Sequence, residues 1–125
     1  MTGVVLDAGA LIGWDRRDRN VSKRLVEFLD RDLPILVPAG ALAQAWRDGR
    51  TQALLSRLLA LDEVGVVPLD DFAAREAGQL CGIRGTNDIV DASVVLCARR
   101  RACPVMTSDP DDLAHLDPML ELIEI

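Results

Sequence analysis

The stretch "ACPVMTSDPDDL" (residues 102–113) sets three carboxylates directly behind a short apolar run. Residues 104–108, "PVMTS", read as a buried strand, and "PDDLAHL" (110–116) reads as a short helix. Ser108 or Asp109 is placed to cap that helix and Pro110 to occupy its first position, with Asp111 and Asp112 near the positive end of the helix dipole. A strand that feeds a helix through an acid is the unit from which open parallel sheets are built. In such sheets the functional crevice lies at the carboxyl ends of the strands.

The same unit recurs outward along the chain. "TGVVLD" (2–7) is a Val-rich strand that ends at Asp7, and "ALIGW" follows as a helical turn or two. Val21, Leu25, Phe28 and Leu29 recur at helical spacing between Asn20 and Asp30, with Asn20 as the expected cap. "PILVP" is a second strand, "AGALAQAW" and "TQALLSRLLAL" are two helices separated at Gly49, and "VGVVPL" is a third strand. "DDFAAREAGQLC" is expected as a helix with Phe72, Ala73, Ala77 and Leu80 on its apolar stripe, stopped by Gly82 and Gly85. "DIVDASVVLCARRRA" is the most hydrophobic helix, and "LELIEI" is a closing strand. Short apolar strands alternating with helices predict an α/β fold whose central sheet, of four to five strands, is mainly parallel and covered on both faces.

A chain of 125 residues, half of them hydrophobic, makes one domain that buries roughly two thirds of its unfolded surface. With no Tyr, two Trp and two Phe, an aromatic stacking platform for single-stranded nucleic acid is disfavoured. The net charge of −6 argues against nucleic-acid binding through a general excess of positive charge, while leaving local patches open. Lys23 is the only lysine; the remaining cations are arginines, among them Arg16, Arg17, Arg19, Arg24 and the run Arg99 to Arg101. The three cysteines, Cys81, Cys97 and Cys103, lie in apolar surroundings without a CxxC spacing and read as buried free thiols. The absence of a cationic leader or a long apolar run predicts a reducing, cytoplasmic location.

Asp91 carries most information about chemistry, because Ile89, Val90, Ala92, Val94, Val95 and Leu96 surround it and leave no polar face on its turn. A lone carboxylate there must be neutralised, find a partner or hold a cation. Asp88, three residues earlier, falls on the same helix face. Asp7 and Asp109 end strands whose tips meet if both strands are central. Two unit charges 4 Å apart repel by about 4 kcal/mol at an effective dielectric of 20, so a cluster of these acids needs a positive partner. Lysine is absent outside position 23 and His115 is the sole histidine. Zinc is therefore disfavoured, and hard, oxygen-liganded Mg²⁺ or Mn²⁺ is expected. Such ions activate water and stabilise charge developing on a phosphodiester.

At these residues the chain resembles a known family. "VVLDAGALI", "VPAGALAQAWR", "DIVDASVVLCA" and "VMTSDPDDL" are together similar, in order and spacing, to the PIN-domain ribonucleases, most closely the VapC-type toxins of bacterial toxin–antitoxin modules. The resemblance implies a single PIN domain over residues 1–125, a three-layer α/β/α sandwich that hydrolyses RNA with Mg²⁺ or Mn²⁺. It implies Asp7, Asp91 and Asp109 as metal-binding catalytic acids, with Thr107 and Ser108 as supporting hydroxyls. Gln44 stands where the family usually carries Glu, which removes one negative charge from the site. Asp88 is a candidate to restore that charge and thus a fourth catalytic acid. A cognate antitoxin whose tail occupies the acidic crevice, often through Arg, and a homodimer are further implications. Arg47 and Arg50, with the Arg16 to Arg24 segment, flank the presumed crevice as candidate RNA contacts.

Three other readings compete. A receiver domain needs an acceptor Asp closing a middle strand and a Lys closing a late one, and this chain has neither. A haloacid-dehalogenase-type phosphatase wants a second Asp two residues after Asp7, where Gly9 stands. The third is a catalytically degenerate PIN fold serving as a binding or scaffold module, for which Gln44 and the acidic net charge speak.

Overall fold

The computed structural model describes residues 2–125. In chain order the elements are β1 (Val4–Leu6), α1 (Ala8–Asp15), α2 (Arg19–Asp30), β2 (Ile35–Pro38), α3 (Ala39–Ala45) and α4 (Ala53–Leu59). They are followed by β3 (Val64–Val67), α5 (Asp71–Arg84), α6 (Ile89–Arg101), β4 (Val105–Thr107), α7 (Pro110–Leu116) and β5 (Leu122–Glu124). The strands form one sheet in the order β3-β2-β1-β4-β5, and every pairing is parallel. This is the expected α/β architecture, with five strands.

The order places the crevice. From β1 the chain steps outward through β2 to β3, then returns to add β4 and β5 on the other side of β1. Val5 pairs with Leu36 on one flank and with Val105 on the other. Connections leaving β1 and β4 therefore diverge, and a gap opens above their carboxyl ends, where Asp7 and Thr107 to Asp109 stand.

The three central strands are apolar on both sides because both sides are covered. Val4, Val5, Leu6, Ile35, Val37, Val105 and Met106 are fully buried, so these strands show no polar alternation. α1 packs on α2, α3 and α4, while α6 packs on α5, α7 and α3 and lies across β1, β2 and β4. The outer strand β3 is different: Gly65 and Val66 are exposed at the sheet edge. Cys81, Cys97 and Cys103 are buried free thiols, as expected.

Three local expectations are corrected. Asp18, not Asn20, caps α2: its carboxylate accepts the Val21 N–H, and α2 begins at Arg19. Asn20 lies in the first turn and accepts a hydrogen bond from Arg24 Nε instead. α5 runs through Gly82 and stops only at Gly85, whose left-handed φ of +70° closes the helix. A helical glycine costs about 1 kcal/mol, too little to end a helix anchored by Leu80 and Cys81, whereas a glycine free to adopt positive φ makes an effective stop. Phe72 is 67% exposed rather than buried; its ring lies under the Arg100 guanidinium, 5.7 Å from its centroid. The buried face of α5 is Ala77, Leu80 and Cys81.

Candidate active site

Asp7 leaves β1 and caps α1, its Oδ1 accepting the Ala10 N–H at 2.9 Å. It is only 7% exposed. Burial raises its pKa above the usual carboxylate value; the Thr107 hydroxyl and the Ala10 N–H pull it back, and the charge of Asp109 pushes it up again. Thr107, fully buried at the end of β4, accepts the Asp109 N–H on its Oγ1 at 2.9 Å. A strand-end threonine thus ties both acids to the sheet. Ser108 leans over the first turn of α1: a Cβ added at Gly9 would collide with its Oγ and would lie 3.4 Å from Asp7 Oδ1.

The second set of acids comes from α6 and α7. Asp88 caps α6, its Oδ1 accepting the Asp91 N–H at 3.0 Å. Asp91 is partly buried, and its pKa is pushed up to about 7. Burial is the largest cause, followed by the hydrogen bond and charge of Asp88, then by the charges of Asp112 and Asp7. The charge of Asp7, just after β1, therefore reaches Asp91 on α6, and that of Asp109 reaches Asp7. Pairwise electrostatics thus link Asp91 to Asp88, Asp112 and Asp7, and Asp7 to Asp109, across separate parts of the chain.

Asp88, Asp91 and Asp112 line one cavity with Thr86, His115 and Leu116. Asp112 also borders the hollow formed by residues 108–112, so it stands between the two. No Lys or Arg lines either one. Among the described residues, no three His, Cys, Asp or Glu side chains converge closely enough to hold an ion as they stand. Asp7 is turned onto its helix and Asp88 onto Asp91. The donors are nonetheless carboxylate and hydroxyl oxygens without a soft ligand, which fits a hard divalent cation in chemistry.

Asp112 and His115 were not singled out as site residues from the sequence. Asp112 read as a helix-dipole residue, yet its spacing of three from Asp109 already puts both on one side of α7. His115, three residues further, shares that side, and its Nε2 lies 2.8 Å from the Arg84 carbonyl oxygen. Only the packing of α7 on α6 shows that this side faces Asp91.

Gln44 lines neither of the cavities that hold Asp88, Asp91, Asp109 and Asp112. It is exposed and lines a different cavity, between the end of α1 and the end of α3, with Ile12, Asp15, Arg16, Arg47 and Gln52. Arg47 lies on that wall; its guanidinium donates to the carbonyls of Ala43 and Trp46. Arg50 does not line the cavity, and Asp48 holds it through two hydrogen bonds of 3.2 and 3.1 Å on the open surface.

A family model described as PIN domain matches residues 4–117. The chain belongs to the PIN-domain family. Among solved structures, it is similar to a chain of VapBC2 from Rickettsia felis bound to a DNA fragment from its promoter, with 13% identity over 98% of each chain and a TM-score of 0.71. A toxin–antitoxin complex from Klebsiella pneumoniae aligns with 15% identity over 98% of this chain and 99% of that one, at a TM-score of 0.72. VapBC-5 from Mycobacterium tuberculosis, of the VapBC family of toxin–antitoxin systems, aligns over the whole of both chains with 25% identity and a TM-score of 0.57. No curated protein matches significantly. No helix among the described residues is long and apolar enough to cross a membrane.

Proposed function

We propose that this protein is a Mg²⁺- or Mn²⁺-dependent endoribonuclease that hydrolyses RNA phosphodiester bonds, acting in the cytoplasm as the toxin of a toxin–antitoxin pair. The observation that carries this reading is that the charge of Asp7 reaches Asp91 and that of Asp109 reaches Asp7, while Asp91 and Asp109 line neighbouring cavities that hold no Lys or Arg. Family membership and the toxin–antitoxin neighbours support it.

Asp7, Asp91 and Asp109 are the side chains that would hold the ion, with Asp88 supplying additional charge. A bound Mg²⁺ or Mn²⁺ supplies a Lewis acid that polarises the phosphodiester and makes water a stronger nucleophile. The chain's own groups prepare the site. Thr107 and the Ala10 N–H fix the Asp7 carboxylate, and the Asp88 cap sets the first turn of α6 so that Asp91 faces the crevice. The raised pKa of Asp91 reflects carboxylates crowded without a counter-charge, which a bound cation would supply. Ser108, over Gly9, borders the same space and serves to orient water or a carboxylate.

The neighbours' assemblies support a cognate antitoxin as partner. Into a crevice of carboxylates an arginine fork inserts as a counter-charge, so an antitoxin tail bearing Arg would compete with the metal. A homodimer is proposed on the family resemblance.

Gln44 favours a second reading, a PIN fold retained for binding without catalysis. One experiment separates the two: purified, partner-free protein is incubated with structured RNA and Mn²⁺, with Asp7→Asn as control. Cleavage by the parent that is lost in the variant establishes the nuclease. Equal traces in both overturn it in favour of the binding module.

A further inference from the structure

We propose that the cavity between α1 and α3 is a phosphate subsite that seats the RNA backbone beside the cleavage crevice, and that Gln44 belongs to this subsite rather than to the metal site. The inference rests on the nuclease reading for the identity of its ligand, but not for its geometry.

The cavity wall carries two guanidiniums. Arg16 caps the end of α1 through its backbone, and its side chain has no ion-pair partner among the described residues. Arg47 has none either; its Nη1 is tethered to the Ala43 and Trp46 carbonyls, which leaves its other nitrogens free. This makes Arg47 a pre-oriented fork rather than a mobile surface charge. Asp15, the one acid on the wall, is committed elsewhere: its Oδ1 accepts the Leu55 N–H at the start of α4.

The wall is also built rigidly. Gln52 uses its whole amide to shape it, Oε1 accepting the N–H groups of Arg47 and Asp48 at 2.7 and 2.9 Å and Nε2 donating to the Ala45 carbonyl at 2.9 Å. Gln44 alone on this wall has an amide with no hydrogen bond to another described residue. An amide NH₂ donates to a phosphate oxygen, and a carboxylate at the same place would repel it. Net charge decides the preference. With Gln44 the wall holds two positive groups against Asp15, whereas Glu there would cancel the surplus. The residue that weakens a metal site thus strengthens an anion site.

The placement suits a strand that crosses the crevice. Asp7 caps one end of α1 and Arg16 the other, and nine residues at 1.5 Å each separate them by about 13 Å. That is about four nucleotides at the rise of a single strand in a duplex. A phosphodiester at the acids and another at the Arg16–Arg47 fork then belong to one short oligonucleotide.

The test is binding of a fluorescein-labelled single-stranded RNA in EDTA, read by anisotropy across a salt series. Removing an arginine that contacts one phosphate lowers the salt slope by about 0.7 for single strands. Arg16→Ala and Arg47→Ala are each expected to weaken binding several-fold with that change of slope, Arg16→Lys and Arg47→Lys to retain most of it, and Gln44→Glu to weaken binding at low salt. Arg75→Ala, whose side chain pairs with Asp71 on α5, is the control and should leave binding unchanged. Thermal unfolding confirms that each variant is folded. Parent-like affinity and slope in the double variant Arg16→Ala/Arg47→Ala overturn the subsite, as does displacement of a bound oligoglutamate, but no RNA, from these arginines. Manganese binding measured in parallel by calorimetry settles Gln44: tighter Mn²⁺ in Gln44→Glu with unaltered RNA affinity returns that residue to the metal site. Arginine-dependent binding without Mn²⁺-dependent cleavage leaves the subsite standing and removes the nuclease. Cleavage indifferent to both arginines does the reverse.

Discussion

Thr107 Oγ1 accepts the Asp109 N–H at 2.9 Å while its hydroxyl serves Asp7, so one fully buried side chain couples the tips of β1 and β4. Thr107→Val keeps the shape and removes both bonds. Leaving the part-buried Asp109 N–H and the buried Asp7 carboxylate without this partner costs about 1–3 kcal/mol. Denaturant unfolding should show that loss, together with weaker cleavage, and Thr107→Ser should restore most of both. A Val variant as stable and active as the parent would contradict the coupling.

Asp91 makes stability depend on pH in a defined direction. Its carboxyl holds a proton up to about 7 in the folded protein, against 3.8 as the ordinary value. Between those limits the native state binds a proton that the unfolded chain has shed, so stability falls as pH rises through this window and stays lower above it. In EDTA the parent's Tm should decline from pH 4.5 to 8 more steeply than that of Asp91→Asn. Parallel curves would refute the assignment. Adding Mn²⁺ at pH 8 should raise the parent's Tm, because an ion bound only by the folded state stabilises it.

Asp88 faces two demands, capping α6 and supplying charge. Asn is as good a cap as Asp, so Asp88→Asn removes charge and leaves the helix start intact. Weaker Mn²⁺ binding in calorimetry, with thermal stability in EDTA no lower than the parent's, is the expected outcome, since the charge of Asp88 repels Asp91. Binding equal to the parent's would end the idea that Asp88 compensates for Gln44. Asp88→Ala should in addition lose about 1 kcal/mol of stability with the cap.

Gly9 gives Ser108 its position. Any Cβ at residue 9 meets Ser108 Oγ, so Gly9→Ala must turn the Ser108 hydroxyl away from α1. Cleavage should drop although no charged group is touched, and the double variant Gly9→Ala/Ser108→Gly, which removes the collision, should recover part of it. A fully active Gly9→Ala would show that the close approach is dispensable.

How far the residues could be read in advance follows from what kind of interaction each feature depends on. The strands "VVL", "ILVP" and "VMT" were legible because a strand buried on both faces must be apolar throughout, and the helix around Asp91 because its acid stood in an otherwise apolar turn. Asp91 drew attention because a carboxylate in apolar surroundings needs a compensating partner, and Asp7 and Asp109 because each follows the end of an apolar strand. Phe72 misled because helical spacing says that a residue lies on a stripe, not that the stripe is covered, and here Arg100 covers the ring instead of the core. Asp112 and His115 were hidden because their local sequence is that of an ordinary helix start.

The amino-acid sequence by itself determined the alternation of strands and helices, the buried thiols and the acids at strand ends, since local patterns of polarity encode them. Tertiary structure alone decided that β1 and β4 are neighbours, that α7 turns Asp112 toward Asp91, and that Gln44 shares a cavity with Asp15, Arg16 and Arg47 rather than with Asp91. The physical reason is that parallel pairing and helix packing join residues far apart in the chain, as with Val5 and Val105, and no short-range pattern records which side chains will share one dielectric cavity.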